Sequence, residues 1–582
     1  MKKLKSLFLL LVAAMMMACS TPFEVVFEPN DKTTIHITGN EQCLWLPVDN
    51  EAESVKLTIV DNEKIPVPLD IRLAVEKVQY YMPLYLDETI HEIVIEGCPQ
   101  QAVAWQNLCV GGDPNLTQQY RQTAHFSPQF GWMNDPNGMV YHNGEWHLFY
   151  QYNPMGSRWG NMSWGHTVSR DLVKWEHLPV AIYPDAVSTI WSGSAVIDKD
   201  NTAGFGKDAM IAIYTSAGSK QTQSIAYSTD NGRTFAKYEN NPVLESNQPD
   251  YRDPKVSWHE PTQRWIMPLA CGNAMEFYSS KDLREWHFES RWGEEYGCHN
   301  GVWECPDLIE MPYKGGTKWV LFCSIWKNNE HGSSVQYFVG DFDGHTFTCD
   351  TPKEYSDWIS YGRDNYAIVT WSNAPEGRKV ALGWQNNWQY GSGEKFPTVA
   401  YRSYMSLPCE LQLVEWEGKA KLVSKPVKEF YSYLKEVYTQ NDLTIAEQQT
   451  LPVELSDKRA MWIELTAENK DSQVVGVKLS NDKGEEVNIY FDHAAKAFKV
   501  DRTKAGDSSF HEQFAGEVAA PMSREKEQRL TIVVDHASVE CFTDISATSD
   551  LVFPTQSYKH ITLYTAGGEA TIKQIKVKEL NI

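Results

Sequence analysis

Ser169-Arg170-Asp171-Leu172-Val173-Lys174-Trp175 is a polar turn closed by an aromatic, and the chain uses it repeatedly. It returns as Ser228-Thr229-Asp230-Asn231-Gly232-Arg233-Thr234-Phe235 and as Ser280-Lys281-Asp282-Leu283-Arg284-Glu285-Trp286. A looser copy is Asp341-Phe342-Asp343-Gly344-His345-Thr346-Phe347. β-rich sequence flanks each copy. The spacing, roughly 50 to 60 residues, is that of a four-stranded propeller blade. The pattern therefore predicts a β-propeller. Such a fold gathers the inner strands of successive blades around one axis, so residues far apart in sequence can meet in one central pocket.

Three short segments carry candidate chemistry. Gly131-Trp132-Met133-Asn134-Asp135-Pro136-Asn137-Gly138 sets one carboxylate, Asp135, among two side-chain amides, an indole and turn residues. Those turn residues place Asp135 on a tight bend at the mouth of a cleft. The amides can hold sugar hydroxyls, and the indole offers an apolar face to a sugar ring. A carboxylate held this way suits attack on a glycosidic carbon. An Asx-turn between two strands would use the same residues, so this segment alone leaves both readings open. Tyr251-Arg252-Asp253-Pro254 adds a second carboxylate beside a cation, and Trp303-Glu304-Cys305-Pro306-Asp307 adds a third between an indole and a thiol.

Further motifs accompany these: His125-Phe126, Tyr150-Gln151-Tyr152-Asn153-Pro154, Trp159-Gly160-Asn161, Trp191-Ser192-Gly193-Ser194, and Gly383-Trp384 through Leu407-Pro408. In this order the set resembles the glycoside hydrolase family 32 enzymes: invertases, inulinases, levanases and other β-fructosidases. The resemblance implies an all-β chain with a five-bladed β-propeller catalytic domain and a C-terminal β-sandwich. It implies Asp135 as nucleophile and Glu304 as general acid, then base. Asp253 is implied to bind two ring hydroxyls and stabilise the transition state. Asn134, Gln151, Trp159, Trp191, Ser192 and Arg252 would complete the fructose subsite.

Charge supports the same roles. A fructosyl carbon leaving its oxygen passes through an oxocarbenium-like state, and a retaining enzyme needs a nucleophile on one side and a proton donor on the other. Glu304 sits between Trp303 and Cys305-Pro306, groups that solvate charge poorly. That setting, with the negative charge of Asp135, should raise its pKa and keep it protonated for the first step. Arg252 reads as an anchor for Asp253 and for hydroxyls, although the two could also be a structural pair. Asp307 reads as structural.

Composition sets the outer limits. A chain of 582 residues is too long for a single core. Its 22% charged and 42% hydrophobic residues are those of a globular protein. A net charge of -23 argues against nucleic acid, whose phosphates demand a basic face, and disfavours docking on an anionic membrane surface. A neutral polysaccharide needs no charge complement. The 21 Trp and 28 Tyr suit sugar faces, and many also serve an aromatic-rich β core. No metal and no cofactor are expected, because Cys298-His299 and Cys305 lack zinc-ligand spacing.

The N-terminus reads as an address. Lys2, Lys3 and Lys5 precede an apolar run, Leu7 to Met17, too short to span a bilayer as a mature helix. Ala18-Cys19 resembles a bacterial lipoprotein cleavage site, with Met16-Met17 departing from the usual residues. Residues 1–18 are thus expected to be a signal peptide, with Cys19 lipidated and the protein exported and anchored to a bacterial membrane, on its periplasmic or cell-surface face. Ten other cysteines are dispersed, and Cys98 with Cys109 is a conceivable pair. Residues 19–118 show period-two alternation at Val55–Val60, Ile71–Val75 and Ile93–Ile95, predicting a small β-sandwich-like domain. Residues 119–424 are expected to form the propeller, 425–440 a helical linker, and 441–582 the C-terminal sandwich.

The functional expectation is retaining hydrolysis of β-fructosidic bonds in fructans (levan, inulin) or in sucrose, with release of fructose from chain ends. Endo-cleavage and fructosyl transfer are variants of the same chemistry. A non-catalytic fructan-binding lipoprotein would predict loss of a carboxylate, yet all three stand in intact motifs. A related propeller hydrolase acting on arabinan or xylan would share three acids but not the segments around Asp135 and Glu304.

Overall fold

The computed structural model describes residues 22–582 apart from 41, 61, 88, 89, 116, 117, 330 and 331. The expected signal segment and Cys19 lie outside these residues. Two compact units divide the chain, one ending at Pro114 and one spanning Asn115–Ile582.

The first unit is built from two sheets. One orders Phe23–Glu28, Lys32–Ile37, Glu92–Glu96, Val55–Ile59 and Leu69–Ile71; the other orders Tyr80–Tyr85, Cys43–Val48 and Cys109–Val110. The alternation read at Val55 is literal, since Val55, Leu57 and Ile59 are buried and Lys56 is exposed. Strand structure at Ile71 ends on that residue, short of the predicted Val75. All ten described cysteines are free thiols, so Cys98 and Cys109 are not joined.

The second unit holds five blades. Their innermost strands are Gly131–His142, Thr189–Asp198, Tyr251–Arg252 continued by Ser257–His259, Trp303–Tyr313, and Tyr366–Thr370. In blade one, Tyr401–Arg402 adds in parallel beside Gly131 and Trp132, so late chain closes the ring onto its first strand.

The repeated turn joins the third and fourth strands of the first four blades. In each, one carboxylate oxygen caps the loop. Asp171 Oδ1 accepts from Val173 N and Lys174 N at 3.0 and 2.8 Å. Asp230 Oδ1 accepts from Arg233 N and Thr234 N at 3.0 and 2.9 Å. Asp282 Oδ1 accepts from Arg284 N and Glu285 N at 3.0 and 2.9 Å, and Asp343 Oδ1 from His345 N and Thr346 N at 2.9 and 2.7 Å. This is Asx-turn chemistry used as a blade signature. The fifth blade replaces it with the short turn Glu417-Gly418, both at positive φ.

Two six-stranded sheets form the C-terminal sandwich. The expected helical linker is not one. Lys428–Tyr433 is a single 3-10 segment, and Leu434–Ile445 is already an edge strand paired with Ala570–Leu580. The segment 425–440 thus serves a short 3-10 stretch and then a strand.

Propeller and sandwich share buried polar joints. Asp535 accepts from Thr123 N and Ala124 N at 3.0 and 2.8 Å, and His125 bridges Asp535 at 3.0 Å and Glu540 at 3.1 Å. Arg502 of the sandwich reaches Asp364 at 2.5 Å and the Tyr390 hydroxyl at 2.9 Å. His125, part of the motif set above, therefore works at this joint.

Candidate active site

The inner strands share a feature that no motif displays. Met133 pairs with Tyr152 but Pro136 pairs with Tyr150, so Asn134 and Asp135 face the single residue Gln151. That is a β-bulge. The same one-residue shift falls between Ile190/Ser216 and Gly193/Tyr214 in blade two. It falls between Arg252/Ala270 and Ser257/Ile266 in blade three, between Glu304/Ser324 and Asp307/Phe322 in blade four, and between Tyr366/Trp384 and Val369/Leu382 in blade five. Asp253, Cys305 and Ala367 take positive φ at these bulges, 67°, 46° and 52°. Each inner strand thus breaks its ladder at one level and re-aims its side chains there.

Asp135 therefore lies within a strand, not on the turn between strands that its neighbours suggested. Its turn-type residues serve the bulge, where Pro136 can sit without a donor. Asp135, Ser192 and Asp253 are contributed by the bulges of three blades. Arg252, Glu304 and Tyr366 stand at the residue just before the bulge in blades three, four and five.

The hydrogen bonds knit these levels into one site. Ser192 Oγ donates to Asp135 Oδ2 at 2.6 Å, while Asp135 Oδ1 is buried with no partner among the described residues. Cys305 N donates to Asp253 Oδ2 at 3.0 Å, and the Cys305 thiol lies 3.6 Å from both Asp135 Oδ2 and Asp253 Oδ2. Arg252 donates to Glu304 Oε1 from Nε at 3.2 Å and from Nη2 at 2.9 Å, and to Asp250 at 2.6 Å. Tyr366 O–H donates to Glu304 Oε2 at 2.5 Å. Arg252 Nε is 4.0 Å from Asp253. The arginine read from sequence as an anchor for Asp253 thus holds Glu304 more closely.

The remaining expected residues have these places. Asn134 is buried and accepts from Trp132 Nε1 at 2.8 Å. Gln151 is buried and donates to the Ile190 carbonyl oxygen at 3.0 Å. Trp191 packs with Trp132, Trp384, Trp388, Met162, Cys305 and Tyr366 in one aromatic cluster. Its Nε1 and that of Trp384 are buried without partners among the described residues. Trp159 is 46% exposed and meets Trp191 edge-on at 6.0 Å. Asp307 is structural, as expected: its Oδ2 accepts from Thr370 N and Oγ1 at 2.7 Å each.

Sequence reasoning missed Tyr366, Trp384, Trp388 and Asp250. Trp384 lay inside a quoted motif. Tyr366 is flagged only by its place in the fifth inner strand, in a blade that lacks the repeat.

The electrostatics follow from burial. Three carboxylates share this pocket with one guanidinium in direct contact. Burial raises Asp135, and the Ser192 hydroxyl, the Asn134 amide, the Cys305 thiol and the Arg252 charge draw it back. Glu304 is raised by burial, lowered by Arg252 and Tyr366, and raised again by the charge of Asp135. Asp253 is raised by burial, opposed by Arg252 and reinforced by Glu304 and Asp135. Asp135, Asp253 and Glu304 are all raised, so the excess of negative charge over the one cation favours a bound proton in this pocket.

An anchored carboxylate with one free oxygen, a second acid held by a cation and a phenol, and a wall of indoles make a site for glycosidic bond cleavage. Comparison with known proteins agrees. Residues 125–426 match the model of the glycosyl hydrolases family 32 N-terminal domain, and residues 429–579 match the family 32 C-terminal domain. Residues 29–112 match a domain of unknown function. The chain belongs to glycoside hydrolase family 32.

Among its relatives, a levanase from Bacillus subtilis (strain 168) is 42% identical over 80% of this chain and 71% of its own length. An extracellular exo-inulinase from Aspergillus awamori is 36% identical over 78% of this chain and 93% of its own. The crystal structure of the Aspergillus awamori exo-inulinase superposes with a TM-score of 0.75 at 34% identity, covering 80% of this chain and 99% of that one. A fructofuranosidase from Schwanniomyces occidentalis, complexed with fructose, gives 0.74 at 30% identity over 80% and 99%.

Proposed function

We propose that this chain hydrolyses β-fructosidic bonds of levan, inulin or sucrose with retention of configuration. The observation that carries this reading is the state of Asp135: one oxygen fixed by Ser192, the other buried and unpartnered beside two further acids. Asp135 attacks the anomeric carbon. Glu304 gives its proton to the leaving oxygen and then takes one from water. Asp253 accepts from two ring hydroxyls, and its negative charge stabilises the oxocarbenium as it develops. Arg252 orients Glu304. Asn134, Gln151, Ser192, Trp159 and Trp191 surround the first fructose. The fructofuranosidase and exo-inulinase relatives support this substrate class.

Attack is from the chain end. The aromatic cluster that includes Trp191 packs beside the acids through Cys305 and Tyr366, and a sugar held against such rings lets binding energy act on one unit. The exo-inulinase relative supports the same mode. Export and a lipid anchor at Cys19 would hold the enzyme where external polymer is met, and the extracellular relatives support export.

A digest of levan, inulin and sucrose with product sizing tests this. Free fructose should dominate from the first minutes, with little early fall in polymer size. An early ladder of oligosaccharides without fructose would refute end attack, and inertness toward all three would refute the substrate class.

A further inference from the structure

Past the catalytic level the inner strands are tied together a second time. Lys255 Nζ donates to the Thr370 carbonyl oxygen at 2.5 Å and pairs with Asp307 at 3.0 Å. Ser194 Oγ donates to the Pro254 carbonyl oxygen and accepts from Val256 N, both at 2.9 Å. Beyond this polar plug lies a cavity of about 530 Å³, floored by Lys255, Asp307 and Thr370 and walled by Trp258, Trp319 and Lys379. None of Asp135, Asp253 and Glu304 lines it. At about 3.3 Å per strand residue, Trp258 lies roughly 17 Å past Asp253, toward the opposite mouth of the propeller.

This cavity has the makings of a sugar site. Asp307 is fully buried, and its Oδ1 has no hydrogen-bond partner among the described residues, which leaves one acceptor at the floor. Lys379 makes no ion pair among the described residues and lies in the fields of Asp307, Glu310 and Lys255. Four cationic and five acidic side chains line the cavity, so charge nearly cancels there. That balance disfavours a bare anion or cation and suits a neutral ligand rich in hydroxyls. Trp258 and Trp319 are half-buried and can cover the C–H face of a sugar. Trp258 is held for this by its bond to Glu260 at 2.8 Å and its edge-on contact with Trp265 at 5.1 Å. The volume falls in the range of small-molecule sites, about 300–1,000 Å³.

We propose that this cavity is a second, non-catalytic carbohydrate site taking one or two units of a neutral sugar. The test uses the full chain carrying Asp135→Asn, with fluorine-labelled tryptophans assigned by single substitution. Titration with fructose, sucrose and glucose should move the Trp319 resonance saturably for at least one sugar. Adding Lys379→Met should weaken that response at least tenfold while responses of Trp159 and Trp191 persist. In the otherwise wild-type enzyme, Trp258→Ala should abolish the Trp319 response and leave kcat/KM on sucrose within twofold. An unmoved Trp319 resonance with all three sugars would overturn the proposal. So would a response indifferent to both Lys379→Met and Trp258→Ala in variants whose thermal midpoints match the parent.

Discussion

Glu304 is gripped from both sides by residues at its own strand position in the neighbouring blades, Arg252 on one oxygen and Tyr366 on the other. That grip decides how the site titrates. Tyr366 favours the ionised form of Glu304, so Tyr366→Phe should raise its pKa. A general acid must be protonated in the free enzyme, so the basic limb of the kcat/KM profile should move to higher pH, read by rate measurements across pH. An unmoved or lowered limb would contradict the role given to the phenol. Asp135→Asn and Glu304→Gln should each cost about 10²-fold or more in kcat while the thermal midpoint holds, because each removes a charge or proton but little volume. The three acids were legible because each stands in a short segment crowded with indole, amide and proline. Tyr366 was not, since a tyrosine before Ala367-Ile368-Val369 reads as ordinary strand. The partner of Arg252 was not legible either: neighbouring Asp253 is adjacent in sequence, but the bulge turns the two side chains to different tasks.

The five bulges are what turn inner strands into a catalytic rim. Gly193 follows the blade-two bulge, and a Cβ there would lie 2.0 Å from the Ile213 carbonyl oxygen. Gly193→Ala should therefore destabilise the fold by about 3 kcal/mol through forced separation of the first two strands of that blade. Gly418→Ala, at φ +79° with open space around the added carbon, should cost only about 1 kcal/mol. Denaturant unfolding of both variants checks the contrast, and equal losses would remove the case for a packed bulge. The sequence shows these elements unevenly. Asp135-Pro136, Asp253-Pro254 and Cys305-Pro306 are visible traces of three bulges: Pro254 and Pro306 sit where the ladder is broken, and Pro136 at the first pair beyond the break. The other two lack a proline and leave no mark. Likewise four blades announce themselves by a capping aspartate, whereas the fifth turns on Glu417-Gly418 and was supplied only by family resemblance. Strand pairing over long separations fixes these features, and a local pattern cannot encode them.

Propeller and sandwich behave as one unit because buried charges cross between them. Burial opposes the charge on His125, but Asp535 and Glu540 hold its pKa up to about 9, against 6.5 for a free histidine. A raised folded pKa means the stabilisation is complete below about 6.5 and is lost as pH rises through about 9, a span worth about 3 kcal/mol. Asp535, buried yet held down to about 2 by the same histidine, loses its share only as pH falls below about 4. The gap in thermal midpoint between wild type and His125→Gln should therefore be widest between about pH 4 and 6.5 and shrink toward pH 9. A gap that stays constant from pH 6 to 9.5 would contradict the charged clamp. The sandwich strands were legible from alternation, but their union with the propeller was not, because its joints pair residues some four hundred positions apart, such as His125 with Asp535. In the proposed mechanism Asp135 attacks the anomeric carbon, and mass spectrometry tests this directly. Glu304→Gln cannot activate water, so a β-fructofuranosyl donor with a leaving group that needs no protonation should load the enzyme and stall. One fructosyl unit should appear on the proteolytic fragment bearing Asp135 and vanish when Asp135→Asn is added. A label on the fragment bearing Asp253, or no label together with an inverted product, would contradict the mechanism.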